Sequence, residues 1–409
     1  MRRVGIVTTW FERGAAYVSR QFREALQAGH QVFIYGRGGE LSGRGDPRWD
    51  GPFVTWDPGS SLLIPTALDR QSFLGWIQSN GIEVVLFNEQ RWWPPVQWCD
   101  ELGIVTGCYL DYYTRATVPL FGLYDFLIAN TRRHHSVFEW HPACHYVPWG
   151  TDLDLIRPAT FELVNPPRVT FFHSAGMDPH RKGTDLVLRA FEPLSGAARL
   201  LVHSQVNLRR VLVSQRRLIR RLEDSGTLEL ITGTFPLPGF YHRGDVYLYP
   251  SRLDGIGLTL CEALAAGLPV ITTDVPPMNE FADSSCSWLV PAASASQRSD
   301  GYYWPQCEPD FAAFAGAVRR CAENPQEIPP RKRAARQLAE TSWDWRKNSQ
   351  CLPEIFASAR RQEGPEKQQA RELARNYVHP HVRARHRFFQ YCPSLYARLR
   401  ALRRRFLLG

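Results

Sequence analysis

Residues 249–274 read YPSRLDGIGLTLCEALAAGLPVITTD. An apolar run ending at Tyr249 gives way to an acid, Asp254, and then to a turn carrying Gly255 and Gly257. A small-residue stretch holding a second acid, Glu262, follows, and Gly267-Leu268-Pro269 interrupts it before the β-branched run 270–273. The pattern predicts strand, turn, helix (258–266) and strand. The two glycines remove side chains, so the backbone N–H groups at Gly255, Ile256, Gly257 and Leu258 can come close to an anion. A helix starting at Leu258 points its positive end at the same place. Glu262, one turn inside, suits a pair of ribose hydroxyls, because an ionised carboxylate accepts both. Asp254, ahead of the helix, would face whatever lies beyond the phosphates. The plainer alternative is a strand-turn-helix connection with two solvated acids.

Pro250-Ser251, the acids Asp254 and Glu262 with seven residues between them, Ala263, Gly267 and Pro269 follow one another in this order. This resembles the donor site of retaining family 4 glycosyltransferases of the GT-B fold, where the two acids are glutamates. The resemblance covers roughly 4–345. It implies an α/β fold of two Rossmann-like, doubly wound domains facing across a cleft. It also implies transfer of a sugar from a nucleoside diphosphate sugar to a hydroxyl, with retention at the anomeric carbon. A membrane site for the basic tail at 393–409 would suit a cell-envelope or lipid-linked glycan as the acceptor. Asp254 is one methylene shorter than the usual glutamate.

Further positions carry the resemblance. Asp178-Pro179-His180-Arg181-Lys182-Gly183 lies between a predicted strand and a predicted helix and is similar to the family's diphosphate-binding segment. Lys182 brings a compact positive charge to a helix start, unless the segment is only a basic surface loop. The family's arginine six residues before that lysine is replaced by Gly176, and Arg181 is the candidate substitute. Gly14, in the loop after the first predicted strand, matches the family's phosphate-approaching glycine or is a simple turn glycine. The family's active-site histidine is missing from the end of the fourth predicted strand, where Cys108-Tyr109-Leu110-Asp111 stands. Asp111 either takes a polar role in the site or caps the next turn. Asn88-Glu89-Gln90 offers groups for acceptor hydroxyls, and Glu280 matches a position whose loop meets the donor sugar. His134 and His135 read as surface or positioning groups, and Trp343 and Trp345 as packing at the start of a final helix.

Outward from these motifs the chain alternates strands and helices. Strands are predicted at 4–9, 31–35, 84–87, 105–109, 126–129 and 145–147, and again at 168–173, 199–203, 228–232, 246–249, 269–273 and 288–290. Helices are predicted at 15–28 and 184–191, the second capped by Thr184. This alternation implies parallel doubly wound sheets. Pro158, Pro166 and Pro167 mark a break, which divides the chain into 1–157 (acceptor domain), 158–345 (donor domain) and 346–409 (crossover helix and basic tail). A dinucleotide fingerprint fails, since Leu41 occupies the third-glycine position after Gly36 and Gly38 and no helix follows.

Composition sets further bounds. With 44% hydrophobic and 12% aromatic residues the chain can bury full-sized cores. Nine cysteines without a C-x-x-C pair argue against a disulfide scaffold and for a reducing, cytoplasmic compartment. No apolar run approaches a membrane span, and 4–9 is too short for a signal-peptide core. No Asp-x-Asp at a strand end and no His/Cys cluster point to a metal, so neither metal nor resident cofactor is expected. Eleven Lys or Arg against two Glu lie beyond Gly364, so the whole formal charge of +9 sits there. In 393–409, Leu395, Leu399, Leu402 and Phe406 share one helical face among arginines. That is a basic amphipathic helix suited either to an anionic membrane surface, peripheral on the inner face, or to packing on the first domain. Nucleic acid is not an expected partner. A catalytically silent, membrane-docked scaffold built on the same fold is the rival reading.

Overall fold

A computed structural model of the chain describes residues 1–37, 43–59, 66–194 and 196–377. Fifteen strands are found among them: β1 Arg3–Thr8, β2 Gln31–Gly36, β3 Val54–Trp56, β4 Val84–Asn88, β5 Val105–Tyr109, β6 Phe126–Ala129, β7 Cys144–Tyr146, β8 Thr170–Gly176, β9 Arg199–Ser204, β10 Leu228–Thr232, β11 Val246–Tyr249, β12 Val270–Thr273, β13 Trp288–Val290, β14 Ala292–Ser296 and β15 Gln306–Pro309. The helices are α1 Gly14–Leu26, α2 Arg70–Asn80, α3 Pro94–Glu101, α4 Arg132–Val137, α5 Thr184–Phe191, α6 Leu208–Val211, α7 Arg216–Asp224, α8 Leu258–Ala265, α9 Met278–Phe281, α10 Phe311–Glu323, α11 Ile328–Ser342, α12 Trp345–Asn348, α13 Leu352–Ser358 and α14 Pro365–Asn376.

Two compact units result. The first takes residues 1–128, 138–145 and the chain from 351, and the second takes 129–137 and 146–350. The break expected at 157/158 thus falls inside the second unit, because Thr151 already pairs with the Trp343–Trp345 segment (Thr151 N to Trp343 O, 2.8 Å; Trp345 N to Thr151 O, 3.2 Å) and Trp149 packs on Trp345. The first sheet runs β3-β2-β1-β4-β5-β6-β7 and the second β10-β9-β8-β11-β12-β13. Each sheet contains the doubly wound order with its earliest strand in the middle and a switch point beside it. Pairing is parallel at both switch points, β1 with β4 and β8 with β11. Central strands covered on both faces are apolar throughout, not alternating; β4 and β11 are buried at every residue. In the second unit Phe171, Phe191, Leu200, Val246 and Phe314 belong to one core, each worth roughly 1.5–3 kcal/mol of burial.

Departures from the sequence reading have local causes. β3 has three half-buried residues, too few to show a period. The hairpin β14–β15 was not anticipated, since Ala292–Ser296 is a small-residue run exposed at every position. Thr184 does not cap α5; Gly183 is the N-cap with φ 72°, and the Thr184 hydroxyl instead meets His173 Nε2 at 2.8 Å. α14 begins the basic tail. Its Lys367 is buried against Asp125 and lies 3.4 Å from Asp100, and Arg371 binds Asp100 (2.7 Å) and Glu363 (2.9 Å). The amphipathic stretch 393–409 and Gly38 and Leu41 lie outside the described residues. Among the described residues no helix is long and apolar enough to cross a membrane.

Candidate functional site

The C-terminal ends of β8, β11 and β12 share one edge of the second sheet, where ligands of such sheets bind. β8 ends at Gly176 and its loop returns at Gly183. A Cβ on Gly183 would lie 2.1 Å from Pro250 O, so only glycine lets this loop approach the one after β11. At that contact Lys182, 8% exposed, donates to Tyr249 Oη (2.7 Å) and to Asp254 Oδ2 (2.5 Å). Arg181 Nη1 donates to the same oxygen (3.0 Å) and to Leu253 O (2.7 Å). Tyr249 Oη donates to it as well. Arg181, Lys182, Tyr249 and Asp254 thus form one hydrogen-bonded group.

Burial alone would raise the Asp254 pKa, but Lys182 and Arg181 outweigh it and hold the carboxyl well below its ordinary range. Burial also pulls Lys182 below its ordinary value, with Asp254 acting against this and Arg181 adding to it. Glu262 projects from α8 and accepts from Tyr241 Oη at 2.5 Å. Burial raises its pKa, while Tyr241 and Lys182 oppose the rise. α8 starts at Gly257, whose φ of 96° is the left-handed region that favours glycine. Gly255, Ile256, Gly257 and Leu258 therefore form the turn and helix start, whose first N–H groups have no intrahelical acceptors.

Two arginines that sequence reading passed over hold this edge together. Arg133, 6% exposed on α4, donates to Pro276 O (2.7 Å), Gly255 O (3.4 Å) and Asp254 O. His134 Nε2 meets Gly255 O at 3.2 Å, and its burial drives its pKa well below the ordinary value, leaving it neutral. Glu280 closes the arrangement from below: its carboxylate accepts from the backbone N–H groups of Arg132 (2.6 Å) and Arg133 (2.9 Å) at the start of α4. Arg252 forks onto Asp185 (2.7 and 2.9 Å) and Glu308 (2.5 and 2.7 Å), tying α5 and the β14–β15 hairpin to the loop that carries Asp254. In the sequence these are ordinary basic residues; only their placement against carbonyls and carboxylates marks them.

Gly14 and Asp111 lie in the first unit. Gly14 is the first residue of α1, in a conformation that demands no glycine. Asp111 follows β5, and burial, then Glu89, push its pKa up to about 7 against Arg91 and Arg37. Glu89 holds φ 55° and faces Arg13 at 3.8 Å. The Asn88 amide nitrogen and both ends of the Gln90 amide are engaged within the first unit. Asn88 Nδ2 donates to Ala15 O (2.9 Å) and Ser19 Oγ (2.8 Å), and Gln90 bridges Thr66 O, Trp92 O and the buried Arg37. Among the described residues no group of three His, Cys, Asp or Glu could hold a metal ion.

Residues 167–303 match the family model described as glycosyl transferases group 1, about a third of the chain. A glycogen synthase of Mycobacterium tuberculosis is 29% identical over 123 residues, 30% of this chain and 26% of the relative. An O-antigen biosynthesis glycosyltransferase of Escherichia coli, WclY, is 45% identical over 47 residues, 12% of this chain and 13% of the relative. The chain therefore matches about a quarter or less of these two relatives' lengths. Among solved structures, HepE of Anabaena, in complex with UDP and glucose, superimposes with a TM-score of 0.66 at 12% identity, covering 88% of this chain and 100% of that one. At that identity the likeness shows the fold, which is GT-B.

Proposed function

We propose that this protein transfers a hexose-type sugar from a nucleoside diphosphate donor to a hydroxyl, with retention at the anomeric carbon. The observation that carries the reading is the group formed by Arg181, Lys182, Tyr249 and Asp254 at the edge of the second sheet, beside Glu262 and inside the segment that matches the group 1 glycosyl transferases. Glu262 holds the ribose hydroxyls. The turn at Gly255, Ile256, Gly257 and Leu258 and the cations at Arg181 and Lys182 receive the diphosphate, and charge that grows on the leaving group strengthens its contact with them. In this reading the cations and the helix start carry the charge a metal ion carries elsewhere. Gly14 and Asp111 belong to the acceptor side. The relative solved with UDP and glucose supports a uridine diphosphate donor, and the O-antigen relative supports a cell-envelope or lipid-linked acceptor. A cytoplasmic position at the inner face of the membrane goes with this reading, supported by eight free cysteines among the described residues.

The test is a thermal-shift panel of UDP, GDP and ADP, followed by sugar-release and transfer assays with the matching donors, with and without EDTA. Stabilisation by one nucleotide and EDTA-resistant turnover are expected. Activity lost to EDTA and restored by magnesium would overturn the metal-free assignment. No response to any nucleotide would favour the silent scaffold, for which the closed Lys182–Asp254 pair and the missing histidine speak.

A further inference from the structure

The described residues expose nine large hydrophobic side chains, and four of them lie in the segments that follow three neighbouring strands of the second sheet: Met177 (56% exposed), Val211 (49%), Val213 (57%) and Phe235 (45%). Met177 follows β8, Val211 and Val213 follow β9, and Phe235 follows β10; the three strands are neighbours and run parallel. Gln205 N bonds Gly176 O (3.1 Å) and Gly233 N bonds Ser204 O (2.9 Å), so the three strand ends are stitched side by side. Phe235 is not a loose tip, since its ring packs on those of His203 and Phe240. The loop bearing Arg181 and Lys182 leaves the same edge.

The rim after β9, from which Val211 and Val213 are exposed, reads LRRVLVSQRRLIRRLED over 208–224, with six arginines and two acids. All six arginines are exposed. Arg209 pairs with Glu223 and Arg221 with Glu192, and Arg216 donates to Arg209 O within the segment. Arg210, Arg217 and Arg220 form no ion pair with any described residue. The buried Leu208, Leu218, Ile219 and Leu222 account for the core-facing side of these helices. They leave Arg210, Arg217 and Arg220 and the exposed Val211 and Val213 outside that core.

We propose that this rim is a docking surface for an anionic lipid bilayer, with Arg210, Arg217 and Arg220 at the headgroups and Val211 and Val213 entering the interface. Charge complementarity accounts for the arginines. The valines decide between a bilayer and a soluble polyanion, because an exposed β-branched apolar pair gains by leaving water for the acyl boundary and gains nothing from a hydrated polyanion. The surface is separate from 393–409 and does not depend on the proposed donor chemistry. It would hold the donor-site edge of the second unit toward the membrane.

The test is flotation of the full chain with vesicles containing phosphatidylglycerol, against vesicles of phosphatidylcholine alone, for wild type and two variants. R210E/R217E/R220E is expected to lower partitioning onto the anionic vesicles by about tenfold or more, since each basic residue near such a surface contributes appreciably. V211S/V213S, which leaves the charge untouched, is expected to lower it about threefold to tenfold, the scale of losing two small apolar groups from the interface. Both variants should unfold at the wild-type temperature, because every altered side chain is exposed. Failure of wild type to float, or equal flotation of all three proteins, overturns the proposal. Loss confined to the arginine variant overturns it in favour of a polyanion. A nucleotide thermal shift run in parallel keeps failure of docking distinct from failure of the donor reading.

Discussion

Lys182 Nζ lies 2.5 Å from Asp254 Oδ2, across 72 residues of chain, and the same ammonium donates to Tyr249 Oη at 2.7 Å. The lysine assigned to phosphate and the acid assigned to sugar are thus joined directly. The pair bolts the loop after β8 to the loop after β11, and two of the ammonium's three protons are engaged before any ligand arrives. In the proposed reading a diphosphate would share Lys182 with Asp254, and charge leaving the sugar would be felt by both.

Replacing Lys182 with Met should therefore act on folding and on turnover. Asp254 would keep Arg181, Tyr249 and the Gly255 N–H but lose its nearest ammonium, and stranding part of a buried charge costs about 2–4 kcal/mol. Turnover should fall more than donor affinity, because the charge on the diphosphate is largest in the transition state. Thermal unfolding and steady-state kinetics read the two effects separately. Near-wild-type turnover would remove Lys182 from the reaction.

Glu262→Ala should weaken nucleoside diphosphate binding by about 1.5–3 kcal/mol, the scale of hydrogen bonds to a charged group. The substitution also leaves Tyr241 Oη without its acceptor, so Tyr241→Phe is the control. It should cost affinity less, since the carboxylate remains. Titration calorimetry gives both values, and unchanged affinity in Glu262→Ala would exclude the ribose assignment.

Arg133→Met removes the donor to three loop carbonyls, at Asp254, Gly255 and Pro276. Leaving buried acceptors unpaired should cost about 1–3 kcal/mol of stability. The loop carrying Gly255 and Gly257 should loosen, raising the donor KM. Unfolding midpoints and donor saturation curves check this, and a variant with wild-type values on both would show that the loops hold themselves.

Asp111 gives a pH signature. Its folded pKa is raised to about 7, chiefly by burial and then by Glu89, with Arg91 and Arg37 opposing. Between the ordinary aspartate value and that pH the folded state binds the extra proton, so the contribution to stability is present at low pH and is lost as pH rises through about 7. Asp111→Asn should accordingly be more stable than wild type at pH 8, by about 1–2 kcal/mol after allowance for solvent screening. At pH 5 the difference should be smaller, because most of the range up to about 7 has still to be crossed. Melting curves at both pH values decide it, and equal differences at the two would show that Asp111 does not titrate in this window.

Legibility in the sequence followed how local each signal was. β4 up to Phe87 and the whole of β11 are unbroken apolar runs, and central parallel strands are covered on both faces, so they stood out. The turn at Gly255 and Gly257 and the acid in α8 were readable because strand, turn and helix are adjacent in the chain. β3 and the β14–β15 hairpin were not, because three half-buried residues and a fully exposed small-residue strand have no hydrophobic period. Thr184 was misread as a cap because Gly183 could take a positive φ, and nothing in the local sequence says that Pro250 O lies against it.

Two doubly wound units, the loops at their strand ends and the charged residues those loops carry follow from the order of residues along the chain. Local propensity and periodicity act within a few residues, and those features need no more than that. The partners of those residues came from the folded arrangement alone. Asp254 met Lys182 and Arg181, Glu262 met Tyr241, Arg133 met three carbonyls, and Lys367 met Asp125. Pairing energies depend on burial and on distances of a few ångströms between residues far apart in the chain, and no spacing within it encodes them.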